Sequence, residues 1–231
     1  MTPTSPSVPG GRLAAPWLTG RVPTSILLLR HAKSTWNEQG RWQGWADPPL
    51  SPSGESAARA AASDPALEEI EAAAASDLQR AVRTAELLGA ARGWPPVRRY
   101  RGLRERGAGP WTGLTRAEIE AGWPGAFTPP VVVVGGEHPP AVTARAVASL
   151  HRLAADFPGR RVLAVTHGGV IRLVEAHLGA EPAPVPNLAG RWVHIERATL
   201  SLDEWVAPLT ARAAPGADPT AAETPVPEAA R

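Results

Sequence analysis

Two short apolar runs, Ile26-Leu27-Leu28-Leu29 and Val162-Leu163-Ala164-Val165, constrain this chain more than anything else in it. Each is four residues long and bounded by polar sequence, the pattern of a short strand buried on both faces. The first delivers Arg30 and His31 at its carboxyl end, and the second delivers Thr166 and His167, followed by Gly168 and Gly169. Open parallel sheets place their ligands beyond the carboxyl ends of their strands. If these two strands are neighbours, both histidines lie in one crevice.

The sequence around them alternates between helical and strand patterns. Helices are predicted from Ser51 to about Ser63, from Ser76–Arg80 to about Gly93, over Thr115–Ala121, over Ala141–Asp156 and over Val170–Leu178. Hydroxyl caps and prolines punctuate them, including a capping box of Thr115 with Glu118. Further strands are predicted at Ile70–Ala75, Val97–Tyr100, Trp192–Glu196 and Thr199–Trp205. Trp36–Pro49 and the proline-rich Trp123–Pro140 read as irregular, and the β-like Val131–Val134 run has no obvious partner. This alternation predicts an α/β fold, a three-layer α/β/α sandwich with a mainly parallel sheet. It spans residues 26–206, between a disordered leader (1–25) and a disordered tail (207–231).

Composition removes several function classes. With 231 residues and no cysteine, the chain can bury a sizeable core but offers no disulfide, thiolate metal site or cysteine nucleophile. Its formal charge is +2, and Lys33 is the only lysine. No clustered basic stripe points to nucleic acid. No apolar run approaches the ~20 residues that span a membrane, and the start lacks a signal-peptide pattern. A cytoplasmic protein is the default expectation.

Two histidines in one crevice could bind metal, but a hydrolytic zinc site needs three protein ligands. His138, His151, His177 and His194 offer no HxH or HxxxH spacing beside either one. Anion chemistry fits better. Arg30, Arg80 at a helix start, and glycines after His167 make a pocket of fixed donors. There a neutral imidazole can attack phosphorus while arginines stabilise the equatorial oxygens, and a carboxylic acid protonates the leaving oxygen.

Four segments carry a family resemblance. LLLRHAKSTWNEQGRWQGWADPPLSPSGE, SDLQRAVRTAELL, LRERGAGPWTG and VLAVTHGGVIRLV resemble, in order, the conserved stretches of the histidine phosphatase superfamily, which includes the cofactor-dependent phosphoglycerate mutases. The resemblance implies a phosphoglycerate mutase-like fold, with His31 as the nucleophile that becomes phosphohistidine. It makes Arg30, Arg80 and His167 the rest of the phosphate pocket and Glu105 the proton donor. Asn37 and the Gly168 backbone would add hydrogen bonds to phosphate, and Gln43 and Gly44 approach the substrate. No metal or cofactor is implied.

The chain departs from the family pattern at Ala32, usually glycine, and at Lys33, a cation expected to favour the neutral imidazole of His31. RHAKS also resembles small phosphohistidine phosphatases. The mutases' ERHYG-type segment and lysine-bearing insertion are absent: here the segment is ERGAGPWTG and no lysine follows Lys33. That favours a phosphatase over a mutase. GLTRAEIEAGWPG and GGEH are similar to sugar-phosphoglycerate and α-ribazole phosphatases. The expected activity is hydrolysis of a small phosphorylated metabolite, and the closing strands permit a homodimer. The alternatives are phosphoglycerate mutase-type phosphoryl transfer or a phosphohistidine protein phosphatase, and after them a catalytically inactive binding protein, although Arg30, His31, Arg80, Glu105 and His167 are all present. Glu118 and Glu137 are rival carboxylates, and the remaining histidines and most tryptophans read as packing or surface residues.

Overall fold

The computed structural model describes residues 22–128, 131 and 133–210. Six strands form one sheet in the order β3-β2-β4-β1-β5-β6: β1 (Thr24–Arg30), β2 (Ala72–Ala75), β3 (Arg98–Arg99), β4 (Arg161–Thr166), β5 (Gly190–Glu196) and β6 (Thr199–Val206). The first four in that order run parallel, and β5 and β6 close the sheet antiparallel. Helices α2 (Pro52–Ala61) and α3 (Gln79–Gly89) cover one face, and α5 (Pro139–Asp156) and α6 (Gly168–His177) cover the other. The three-layer expectation is met.

The strand residues sort by parity because successive side chains point to opposite faces. Ile26, Leu28, Val162 and Ala164 pack toward α5 and α6, while Leu27, Leu29, Leu163 and Val165 pack toward α2 and α3. Both runs are therefore buried on both sides, which is why they lack polar alternation. Each of the β1 leucines gains roughly 1.5–3 kcal/mol from such burial. Strand β2 is four alanines, which prefer helix, yet it pairs with β3 and β4. Its small side chains are buried on both faces of the sheet, and that context overrides propensity.

Several boundaries differ from the sequence reading. Strand β1 starts at Thr24, inside the predicted leader, because Thr24 and Ser25 pair with Ile195 and His194. Residues 207–210, assigned to the tail, return to the molecule: Leu209 is buried and its amide donates to Leu188 O at 3.0 Å. The rest of the predicted leader and tail lies outside the described residues. Helix α3 ends at Gly89 rather than near Gly93, and α6 begins at Gly168 rather than Val170. The predicted loop after Thr35 contains a short helix, α1 (Thr35–Glu38), capped by Ser34. The described part of Val131–Val134 is not a strand; Val133 is buried with Ala108, Trp111 and Ile119, the last on α4 (Arg116–Gly122). Val133 thus serves a small apolar cluster beside the sheet, while Val131 and Val134 are exposed.

Candidate active site

Arg30 in β1 is level with Thr166 in β4. His31 and His167 therefore leave neighbouring strands side by side, with ring centroids 5.2 Å apart. The backbone around His31 is held on every side. Its amide donates to Thr166 O at 3.0 Å, and Asn187 Nδ2 donates to its carbonyl at 2.7 Å. The next amide, of Ala32, donates to Thr84 Oγ1 at 3.0 Å.

His31 Nδ1 lies 2.7 Å from the Ala32 carbonyl oxygen. A carbonyl only accepts, so this contact assigns the proton to Nδ1 and leaves the lone pair on Nε2. Burial holds the imidazole pKa well below its ordinary value, and the charges of Arg80 and Arg30 lower it further. Lys33 has no part in that shift; its side chain is exposed and its charge acts on Glu38. The role expected of Lys33 is performed by the two arginines.

Arg80 sits in the first turn of α3 and is 1% exposed. Its two terminal nitrogens donate to Ala46 O at 2.7 Å and Gly44 O at 3.0 Å, and its Nε has no partner among the described residues. Burial lowers its pKa to about 10, a value at which it remains a cation at neutral pH. Arg30 donates to Val185 O at 2.6 Å and is likewise lowered by burial. His167, the residue before α6, is fully buried, and neither ring nitrogen has a partner among the described residues. Burial and then Arg80 keep it neutral. Buried polar atoms are nearly always paired, so the open Arg80 Nε and His167 nitrogens mark a place built for a ligand rich in acceptors.

Glu105 follows a 3₁₀ turn (Arg101–Leu103) after β3. Its Oε1 accepts from Arg106 N at 2.7 Å and its Oε2 from Gly169 N at 3.2 Å. The second contact places the carboxylate at the amino end of α6, where main-chain amides have no helical acceptor.

A cavity of about 490 Å³ joins Arg30, His31, Asn37, Gln43, Gly44, Arg80, Glu105 and Gly168. His167 lies behind it against His31. Asn37 is helical rather than in a loop, and its Oδ1 accepts from Ser34 N at 3.1 Å, so that oxygen serves the capping box of α1. Gln43 Oε1 accepts from Ser34 Oγ at 3.0 Å. Gly44 has a φ of +50°, and a β-carbon there would meet Ala108 N at 2.6 Å. It serves the site through its carbonyl, which braces Arg80.

Arg106, Arg172, Trp36, Trp42 and Phe127 also line the cavity. Arg106 adjoins Glu105 and Arg172 lies inside the quoted HGGVIR segment, but strand-end reasoning does not reach either. Among the described residues no three His, Asp or Glu side chains converge as metal ligands do. The rival carboxylates are engaged elsewhere: Glu118 caps α4 and pairs with Arg41, and Glu137 pairs with Arg145. His194 bridges Ser25 Oγ and Asp203 Oδ2, both at 2.8 Å, away from the cavity.

Comparison with known proteins covers nearly the whole described chain. A family model described as the histidine phosphatase superfamily (branch 1) matches residues 26–208. A glucosyl-3-phosphoglycerate phosphatase of Mycobacterium tuberculosis is 36% identical over 183 residues, 71% of this chain and 80% of that protein. A 2,3-bisphosphoglycerate-dependent phosphoglycerate mutase of Nitratidesulfovibrio vulgaris is 32% identical over 191 residues, 66% of this chain and 76% of its own. The solved structure of a mycobacterial glucosyl-3-phosphoglycerate phosphatase with VO3 superposes with a TM-score of 0.69 at 31% identity, covering 81% of this chain and 100% of that one.

Proposed function

Because this chain belongs to the histidine phosphatase superfamily, branch 1, we propose that it is a phosphatase that hydrolyses a small phosphomonoester through a phosphohistidine at His31. The observation that carries the reading is the fixed tautomer of His31. Its Nδ1–H is committed to Ala32 O, and Nε2 is left nucleophilic in an arginine-lined cavity.

Arg30, Arg80 and His167 hold the phosphoryl oxygens, and their preset positions stabilise charge as it spreads in the transition state. The lone pair of Nε2 forms the N–P bond as the P–O bond to the leaving group breaks. Glu105, in its acid form, gives its proton to the departing oxygen. Its carboxylate then takes a proton from water, whose oxygen attacks phosphorus and expels Nε2. Phosphate leaves, and Glu105 is again the acid.

Two features support hydrolysis over mutation of the phosphoryl position. No lysine lines the cavity, and the segment after Glu105 lacks the mutase pattern. For the substrate, Arg106 and Arg172 supply cationic charge beyond what one phosphoryl group needs, beside the apolar wall of Trp36, Trp42 and Phe127. A small metabolite that carries a carboxylate as well as the phosphate meets both, and the similarity to a glucosyl-3-phosphoglycerate phosphatase supports the same class.

Acid-quench labelling with a radioactive phosphomonoester tests the mechanism. Wild type is expected to carry acid-labile label that His31→Ala abolishes. No label on wild type, or label that persists in the variant, overturns it. Incubation with 3-phosphoglycerate separates the two reactions, inorganic phosphate marking a phosphatase and 2-phosphoglycerate a mutase.

A further inference from the structure

Glu137 and Arg145 stand outside the cavity, yet both are built into the segment that carries Glu105. Arg145 lies on α5, two turns after Glu137. Its Nε and one terminal nitrogen meet both Glu137 carboxylate oxygens, at 2.7 and 2.8 Å. The guanidinium then spends its remaining hydrogens on main-chain carbonyls: Gly102 O at 2.8 Å, Arg104 O at 2.6 Å and Glu105 O at 2.9 Å. Glu137 grips the same segment from its other end. Its Oε2 accepts from Gly107 N at 3.1 Å, its amide donates to Gly107 O at 2.8 Å, and its carbonyl accepts from Arg106 Nε at 2.7 Å.

The close approach is sterically provided for. A β-carbon on Gly102 would run into Ser149 Oγ and the Arg145 carbonyl, and one on Gly107 would lie 3.3 Å from Glu137 Cβ. The pair is 20% and 17% exposed, so water competes little for these bonds. A planar guanidinium suits the task because its five donors have fixed directions. The Glu105 carbonyl has a second holder, Trp45 Nε1 at 2.8 Å.

We propose that Arg145, oriented by Glu137, is a positioning residue that sets where the Glu105 carboxyl sits relative to the leaving group. The inference rests on Glu105 being the proton donor. A donor misplaced by about 1 Å can cost about a hundredfold in rate, and the cost falls on leaving groups that need a proton. An alkoxide needs one, whereas dinitrophenolate does not.

The test compares kcat/KM, which reports the steps up to phosphohistidine formation, for an alkyl phosphate and for 2,4-dinitrophenyl phosphate. Glu105→Gln is the reference and is expected to lose far more on the alkyl substrate. Arg145→Met and Glu137→Gln are expected to follow it, with losses of roughly ten- to a hundredfold on the alkyl substrate and severalfold at most on the aryl one. Leu67→Ala, in the core on the opposite face of the sheet, destabilises away from the segment and should leave the ratio of the two substrates unchanged. Should Arg145→Met fail to fold, Glu137→Gln and Trp45→Phe carry the comparison. Equal losses on both substrates in these variants, with Glu105→Gln still selective, overturn the positioning role. Equal losses in Glu105→Gln itself overturn the proton-donor reading instead.

Discussion

The carboxylate of Glu105 occupies the space that a β-carbon on Gly169 would fill, and the Gly169 amide donates to it at 3.2 Å. The start of α6 and the carboxylate are thus fitted to each other. Gly169→Ala should push the carboxylate out of place. Activity on an alkyl phosphate is expected to fall about tenfold or more. Alanine favours the helix over glycine by roughly 0.5–1 kcal/mol, so the melting temperature should hold or rise. Activity and stability moving in opposite directions, measured by kcat/KM and calorimetry, is the signature. Unchanged activity would show that the glycine is not needed for this fit.

The paired histidines make stability depend on pH. Burial, then Arg80, holds both His31 and His167 well below the ordinary imidazole pKa. Once unfolded they titrate near 6.5. Between the lowered folded values and 6.5 the unfolded chain binds more protons. The stabilisation is therefore complete above about pH 6.5 and is lost as pH falls below it, by about 1.4 kcal/mol per pH unit for each histidine. Urea denaturation at about pH 7.5 and 5.5 measures the slope, and His167→Asn should reduce it by one histidine's share. An identical slope in the variant would rule out His167 as a source.

How far the sequence reveals this site depends on which interactions place each residue. His31 and His167 are legible because each directly follows a doubly buried strand, and the parallel register of β1 and β4 does the rest. Asn187 and Arg145 are not. Their side chains reach main-chain carbonyls of segments distant in sequence, contacts with no period and no partner residue type to search for. Lys33 misled because nearness in sequence does not decide which charges reach a buried ring: Arg30 and the sequence-distant Arg80 act on His31, while Lys33 is exposed. The β-like Val131–Val134 run had no visible partner because β-branched composition does not by itself make a strand; Val133 is buried in a loop-side cluster with Ala108, Trp111 and Ile119.

Gly44 tests whether a loop backbone governs a catalytic-site cation. Its φ of +50° disfavours any side chain, and a β-carbon would overlap the Ala108 amide. Its carbonyl is one of the two that hold Arg80. Gly44→Ala should cost about 1–3 kcal/mol by strain alone and also weaken binding of orthophosphate. Denaturant titration and calorimetric phosphate binding check the two effects. Normal phosphate affinity in a destabilised variant would separate the loop from the site.

Arg80 itself provides a sharper test of the phosphate pocket. Two of its nitrogens are fixed by the Gly44 and Ala46 carbonyls, which aims the guanidinium plane, and burial removes competing water. Arg80→Lys keeps one charge but cannot both satisfy two carbonyls and face a phosphoryl oxygen with a rigid fork. Loss of a charged hydrogen bond costs about 1.5–3 kcal/mol, so orthophosphate or vanadate should bind roughly ten- to a hundredfold more weakly. Arg83→Lys on the same helix is the control, since Arg83 is half-buried and pairs with Glu55 outside the cavity. Equal affinities in wild type and Arg80→Lys would remove Arg80 from the phosphate site, whereas weakening confined to Arg80→Lys ties the anion to the guanidinium that also lowers the pKa of His31.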